Sequence, residues 1–272
     1  MQLLAPTWFV GCGNMGQAMV AGWRAAGVDL SVLTAIRPSG RLVPGVKTVA
    51  SLKEAGSAPR LVILGFKPQK LDEVAPELAP WLTAKTVIVS LLAGVEAASL
   101  RERFPKGIIV RTTTNLPVSV RRGVSALYSE DEIEAGLKAK ISDLFAALGF
   151  AMWAKSEAGL SAIGAVAGAG PAYVARFIEA FADAAVQQGL SREIADTIAL
   201  ETFMGTAWMA SSTKETMDEL ARRVASPKGT TEAGLAVLDR DDSLDRLVAK
   251  AIDAARRRGA ELAAQARGEQ VA

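Results

Sequence analysis

Two short runs of the 272-residue chain have the residue types and spacing to do chemistry. Gly11-Cys12-Gly13-Asn14-Met15-Gly16 follows the apolar run Thr7–Val10 and opens a helical pattern. Its G-x-G-x-x-G spacing is that of a loop for a dinucleotide pyrophosphate. The first glycine permits a turn, the second lets backbone approach the phosphates, and the third lets helix pack on strand. Free N–H groups at the helix start add to the attraction. Cys12 fills a free position of the motif and reads as a small filler rather than a nucleophile. The second run is Ser226-Pro227-Lys228-Gly229-Thr230-Thr231, a tight turn before a helix starting near Glu232, with Thr230 or Thr231 as N-cap. Outward N–H groups in such a turn hold a carboxylate, and the second hydroxyl can reach a substrate nitrogen. A plain capped surface turn fits the same threonines.

The residues after the second strand choose between dinucleotides. An Asp or Glu there would bond the ribose hydroxyl of NAD. The chain instead reads LTAIRPSG, placing Arg37 and Ser39 where a 2′-phosphate would sit. NADP is therefore expected, with NAD as the second option, and a solvated arginine beside a turn is the plainer reading. The chain has no histidine, which removes Ser-His-Asp and Cys-His catalysis. Its single cysteine excludes an internal disulfide and a cysteine zinc cluster, and no metal site is expected. A net charge of +2 with half the residues apolar carries no bias toward nucleic acid. A signal-peptide pattern and an uninterrupted apolar run of about 18 residues are both missing, so a cytoplasmic location away from membranes is expected.

The positioning elements follow from periodicity. Strand-like runs at Thr7–Val10, Leu30–Ile36, Lys47–Ala50, Leu61–Phe66, Thr86–Leu91 and Gly107–Arg111 alternate with helical runs at Asn14–Ala26, Leu71–Trp81 and Ala97–Phe104. That alternation predicts an α/β fold, a Rossmann doubly wound parallel sheet over residues 1–155. Gly123–Tyr128 reads as an edge strand, Glu130–Leu148 as a helix and Ala151–Ala154 as a last strand. From residue 156 to 272 strands vanish, and an all-α dimerisation domain is expected. Helices are predicted over Pro171–Gly189, behind the cap Ser191, and through Leu244–Ile252. The alanine-rich faces of Pro171–Gly189 predict burial nearly all round, and the polar tail after Gly268 is expected to fray.

The whole chain resembles the pyrroline-5-carboxylate reductase family. VASPKGTTEAGL (Val224–Leu235) is similar to its C-terminal signature, and GAGPAY (Gly168–Tyr173) to its Gly-Pro-Ala-Tyr helix start. FKPQ (Phe66–Gln69) and SLLAG (Ser90–Gly94) match the segments after its fourth and fifth strands. The resemblance implies NAD(P)H-dependent reduction of the cyclic imine 1-pyrroline-5-carboxylate to L-proline. It implies a homodimer, with a decamer of dimers as the larger assembly. Gly11, Gly13, Asn14, Met15 and Gly16 would line the pyrophosphate, with Arg37 and Ser39 beside the adenosine ribose. Phe66, Lys67, Pro68, Ala93, Gly94 and Asn115 would complete the cofactor wall; Lys67 has a competing role as general acid. Ser226, Lys228, Gly229 and Thr230 would hold the substrate carboxylate, and Thr231 would act at the ring nitrogen.

Two departures stand out. The family has Met-Pro-Asn-Thr-Pro where this chain has Thr113-Thr114-Asn115-Leu116-Pro117, and glycine where it has Lys228. They leave room for a related cyclic imino-acid reductase with altered substrate, or a non-catalytic NADP-binding regulatory homologue. A β-hydroxyacid dehydrogenase is a further rival on the same architecture. It would need a lysine acid in its helical half, and none stands around Gly164–Gly170.

Overall fold

A computed structural model describes residues 2–213 and 215–266, so the tail after Gly268 lies outside the described residues. Eight strands form one sheet: β1 (Thr7–Val10), β2 (Leu33–Ile36), β3 (Lys47–Val49), β4 (Leu61–Leu64), β5 (Val87–Ser90), β6 (Ile108–Thr114), β7 (Gly123–Tyr128) and β8 (Gly149–Trp153). Their spatial order is β3-β2-β1-β4-β5-β6-β7-β8. β1 to β6 run parallel, β7 is antiparallel to β6, and β8 pairs parallel with β7. β7 is thus covered on both sides and β8 takes the edge, contrary to the expectation for Gly123–Tyr128. The order reverses between β1 and β4, which opens a crevice beyond their carboxyl ends.

All four residues of β1, β2, β4 and β5 are buried, because helices cover both sheet faces. The helices of this part are α1 (Asn14–Ala25), α2 (Leu52–Ala55), α3 (Leu71–Leu78), α4 (Ala97–Arg103), α5 (Ala135–Ala146) and α6 (Glu157–Ile163). Phe9, Met19, Trp23, Ile63, Leu127 and Phe145 fill one core, and Trp8, Val62, Leu64, Ile88 and Phe104 the other. The Trp23 indole ties α1 to α5 by donating to the Leu144 carbonyl at 2.8 Å.

After a π-turn at Gly164–Gly168 come α7 (Gly170–Gln187), α8 (Arg192–Ser212), α9 (Met217–Val224), α10 (Thr230–Leu238) and α11 (Ser243–Ala266). The chain divides into two compact units. The first runs to Ala169 and resumes at Ala254, and the second is Gly170–Asp253. The pattern change at 155/156 therefore does not coincide with the division, because α6 and the π-turn pack on β6 and β7.

In the second unit, Ser191 caps α8 by accepting from Ile194 N–H. Arg192 ties α8 to α7 through Glu179 and Asp183 and pairs with Asp196 on its own helix. Ala182, Ala195 and Ala199 make a small core. The burial expected around α7 is not met within one chain: Val174 is 49% and Phe181 48% exposed. α8 is the main neighbour of α7, and the Tyr173 hydroxyl also donates to the Ala251 carbonyl of α11 at 3.4 Å.

Candidate active site

In the first unit, β1 ends at Gly11, whose φ of 78° and closeness to the Phe66 backbone leave no room for a side chain. A Cβ there would meet Phe66 N at 2.7 Å. Gly13 caps α1 with nothing within 4 Å of its missing Cβ, so the approach to its backbone is open. A Cβ at Gly16 would meet Phe9 at 2.8 Å and the Cys12 sulfur at 2.9 Å. The three glycines thus divide into turn, open approach and close packing. No side chain caps α1, so the first-turn N–H groups of Asn14, Met15 and Gly16 point at the loop without an internal acceptor. Burial pushes the Cys12 thiol up to about 11, against a lowering by the Arg37 charge, and keeps it protonated at neutral pH.

Arg37 follows β2, and its backbone N–H is held by the Val49 carbonyl at 2.8 Å. Its Nη1 is buried with no hydrogen-bond partner. A guanidinium nitrogen in that state fits an anionic ligand. Ser39 is exposed, and its Oγ accepts from Arg41 N–H at 3.4 Å. After β4, Lys67 is exposed and Pro68 opens a 3₁₀ turn, where a missing N–H costs nothing. After β5, Ala93 is exposed and Gly94 has φ 76°. The end of α11 lies against Gly94, where a Cβ would meet Ala263 N at 2.9 Å.

Asn115 follows β6 and is 6% exposed. Its Oδ1 accepts from Val124 N–H at 2.8 Å, and its Nδ2 donates to the Ala167 carbonyl in the π-turn at 3.0 Å. Asn115 therefore clasps the loop wall together instead of presenting its amide outward. Thr114 Oγ1 shares a hydrogen bond with Ser125 at 2.8 Å, and Thr113 packs beneath Gly164. Of the three departures from the family loop, Thr113 and Thr114 are thus accommodated inside the fold, and Leu116 is exposed.

In the second unit, α9 leads through Ala225 into the Ser226 turn. Gly229 takes the N-cap position and α10 begins at Thr230, two residues earlier than the threonine-cap reading places it. No side chain caps α10. The Gly229 N–H is already used, donating to the Ser226 carbonyl at 2.9 Å. The open donors are the backbone N–H groups of Thr230, Thr231 and Glu232, since the first helical bond runs from Ala233 N–H to the Gly229 carbonyl. A Cβ at Gly229 would meet Ser226 Oγ at 2.4 Å and the Ser226 carbonyl oxygen at 2.9 Å, so a side chain there forces the turn to shift. Lys228 is exposed and holds φ 60°, a left-handed conformation costing a side-chain-bearing residue about 1 kcal/mol. Its backbone N–H donates to Glu232 Oε2 at 2.6 Å. Glu232 was missed in the sequence, although its spacing from the turn is that of a capping carboxylate.

Residues 157–262 match the family model for pyrroline-5-carboxylate reductase dimerisation, and residues 8–94 the model described as NADP oxidoreductase, coenzyme F420-dependent. The chain is 38% identical to pyrroline-5-carboxylate reductase of Pseudomonas aeruginosa over 94% of its length and 96% of the relative's. It is 32% identical to the Pisum sativum enzyme over 92% of this chain and 93% of that one. Among solved structures, the pyrroline-5-carboxylate reductase of Coxiella burnetii aligns with a TM-score of 0.86 at 31% identity, covering 96% of this chain and 99% of that one. The Plasmodium falciparum pyrroline carboxylate reductase, solved with NADP bound, aligns with a TM-score of 0.86 at 26% identity, covering 95% and 98%.

Proposed function

The chain belongs to the pyrroline-5-carboxylate reductase family, and on that premise we propose how its residues divide the work. The reaction is NADPH-dependent reduction of 1-pyrroline-5-carboxylate to L-proline, the last step of proline biosynthesis. Gly11, Gly13, Asn14, Met15 and Gly16 hold the pyrophosphate with backbone N–H groups at the start of α1. Arg37 and Ser39 hold the 2′-phosphate. Phe66, Lys67, Pro68, Ala93 and Gly94 flank the remainder of the cofactor, and Asn115 fixes the loop beside it.

Ser226, Gly229, Thr230 and Thr231 form the carboxylate site, with Lys228 adding a cation at its rim. The observation that supports this assignment is the uncapped start of α10, with three open N–H groups beside a glycine whose Cβ would crowd the Ser226 carbonyl. The bound cofactor supplies the hydride. With no histidine in the chain, the proton arrives with the substrate or from water. The Thr231 hydroxyl orients the ring nitrogen, and the fixed carboxylate sets the ring's direction.

Residues 1–155 serve as the dinucleotide domain and 156–272 as the substrate-binding and dimerisation domain. Self-association fits the matched dimerisation model. The helical run Glu157–Gln187 is long and apolar enough to cross a membrane by composition, with 6% of its apolar 18-residue window buried. A second copy of the chain accounts for that open surface: its apolar side chains alternate with Arg176, Glu179 and Asp183. We place the enzyme in the cytoplasm as a homodimer able to build a decamer of dimers, acting on a small imino acid without nucleic acid or membrane.

The test is steady-state NADPH oxidation with 1-pyrroline-5-carboxylate, its six-membered analogue and its 2-carboxylate isomer, for the native chain and Thr231→Ala. The native chain should favour the first substrate. Thr231→Ala should lower kcat by about tenfold, the effect of one lost hydrogen bond, with little change in cofactor KM. Equal turnover by the variant removes Thr231 from the mechanism.

A further inference from the structure

Lys228 occupies backbone space that suits glycine, at φ 60°. The neighbouring Gly229 cannot share that role, because Ser226 leaves it no room. Two hydrogen bonds close the turn around Lys228. Gly229 N–H donates to the Ser226 carbonyl at 2.9 Å, and Lys228 N–H donates to Glu232 Oε2 at 2.6 Å. Glu232 is the third residue of α10, so its carboxylate folds back over the helix start onto the residue before the cap. The one residue of the turn in a disfavoured conformation is the one tied by a charged acceptor.

We propose that Glu232 is a positioning residue for imine reduction. It holds Lys228 in the left-handed conformation and so keeps the Thr230 and Thr231 N–H groups aimed at the substrate carboxylate. This rests on the reading of the turn as the carboxylate site. Glu232 need not touch the substrate, and its hydrogen bond to Lys228 N–H directs its charge into the turn. The requirement for Glu232 is created by Lys228. A glycine at 228 adopts the same φ unaided, which makes the carboxylate dispensable.

The experiment is a cycle of Glu232→Ala, Lys228→Gly and the double variant, with Glu232→Gln and Gly229→Ala measured alongside. Glu232→Ala should raise the KM for 1-pyrroline-5-carboxylate about tenfold, the size of one charge-assisted hydrogen bond, and leave the KM for NADPH unchanged. Glu232→Gln keeps an acceptor oxygen and should give a smaller rise. In the Lys228→Gly background, Glu232→Ala should change that KM by less than about twofold. An unchanged KM in Glu232→Ala, or equal rises in both backgrounds, overturns the proposal. Gly229→Ala separates it from the reading beneath. If Gly229→Ala leaves the imine KM unchanged, the turn is not the carboxylate site and both fall. If it raises the KM while Glu232→Ala does not, the positioning role alone falls.

Discussion

Glu157 meets Arg111 at 2.5 Å, and the same carboxylate oxygen accepts the Ala97 N–H at 2.7 Å. One atom thereby joins β6, the first turn of α4 and the start of α6. The Arg111 side chain is 10% exposed and that of Glu157 26%, so the pair is screened far less than a surface one. Removing Glu157 leaves both a guanidinium and a helix-start N–H without their acceptor. Glu157→Ala should lower the unfolding free energy by about 2 kcal/mol, and Arg111→Ala by a similar amount. Urea denaturation of the two single variants and the double variant checks this. The double variant should be less destabilised than the sum of the singles.

The proposed role of Arg37 at the 2′-phosphate gives a cofactor prediction. Its buried, unpartnered Nη1 is costly unless a ligand anion reaches it. Arg37→Ala should raise the KM for NADPH by about tenfold or more while leaving that for NADH nearly unchanged. Steady-state kinetics with both cofactors decide it. A variant that loses both equally would place Arg37 in the general scaffold instead.

Cys12 gives a pH prediction. Burial raises its folded thiol from 9.0 to about 11, so the folded state resists ionisation. Below pH 9.0 both states are protonated and the thiol costs nothing. As pH climbs from 9.0 toward about 11 the unfolded thiol ionises first, and stability falls by about 2 kcal/mol. Thermal melts of the native chain and Cys12→Ala across that range should converge at neutral pH in slope and diverge above it. Alkylation of Cys12 near neutral pH should require unfolding.

Much of the cofactor half is legible in the sequence, because its signals are local. Strand, glycine turn and helix follow one another within Thr7–Ala25, and each glycine meets the obstacle or open space its spacing implies. The turn at Ser226–Thr231 is legible as a turn before a helix but not in its details. Threonine propensity points to a side-chain cap, whereas Gly229 takes that position and frees both threonine N–H groups. The Glu157–Arg111 pair spans 46 residues, and no local pattern announces it. Asn115 reads as a cofactor contact, yet its amide is engaged with Val124 and Ala167, contacts that arise only when β7 and the π-turn fold back. The exposure of α7 is illegible for another reason: apolar periodicity says that a face is covered, not which chain covers it.

The most direct measurement is the position of label in the product. Native enzyme is given 1-pyrroline-5-carboxylate and NADPH deuterated at the nicotinamide C4, and the product is read by NMR and chiral chromatography. Hydride delivery to the imine carbon puts deuterium on the δ-carbon of proline, while the α-carbon, which the reaction does not touch, keeps the L configuration of the (S)-imine supplied. Deuterium on the α-carbon, or no consumption of NADPH with this imine, would contradict it.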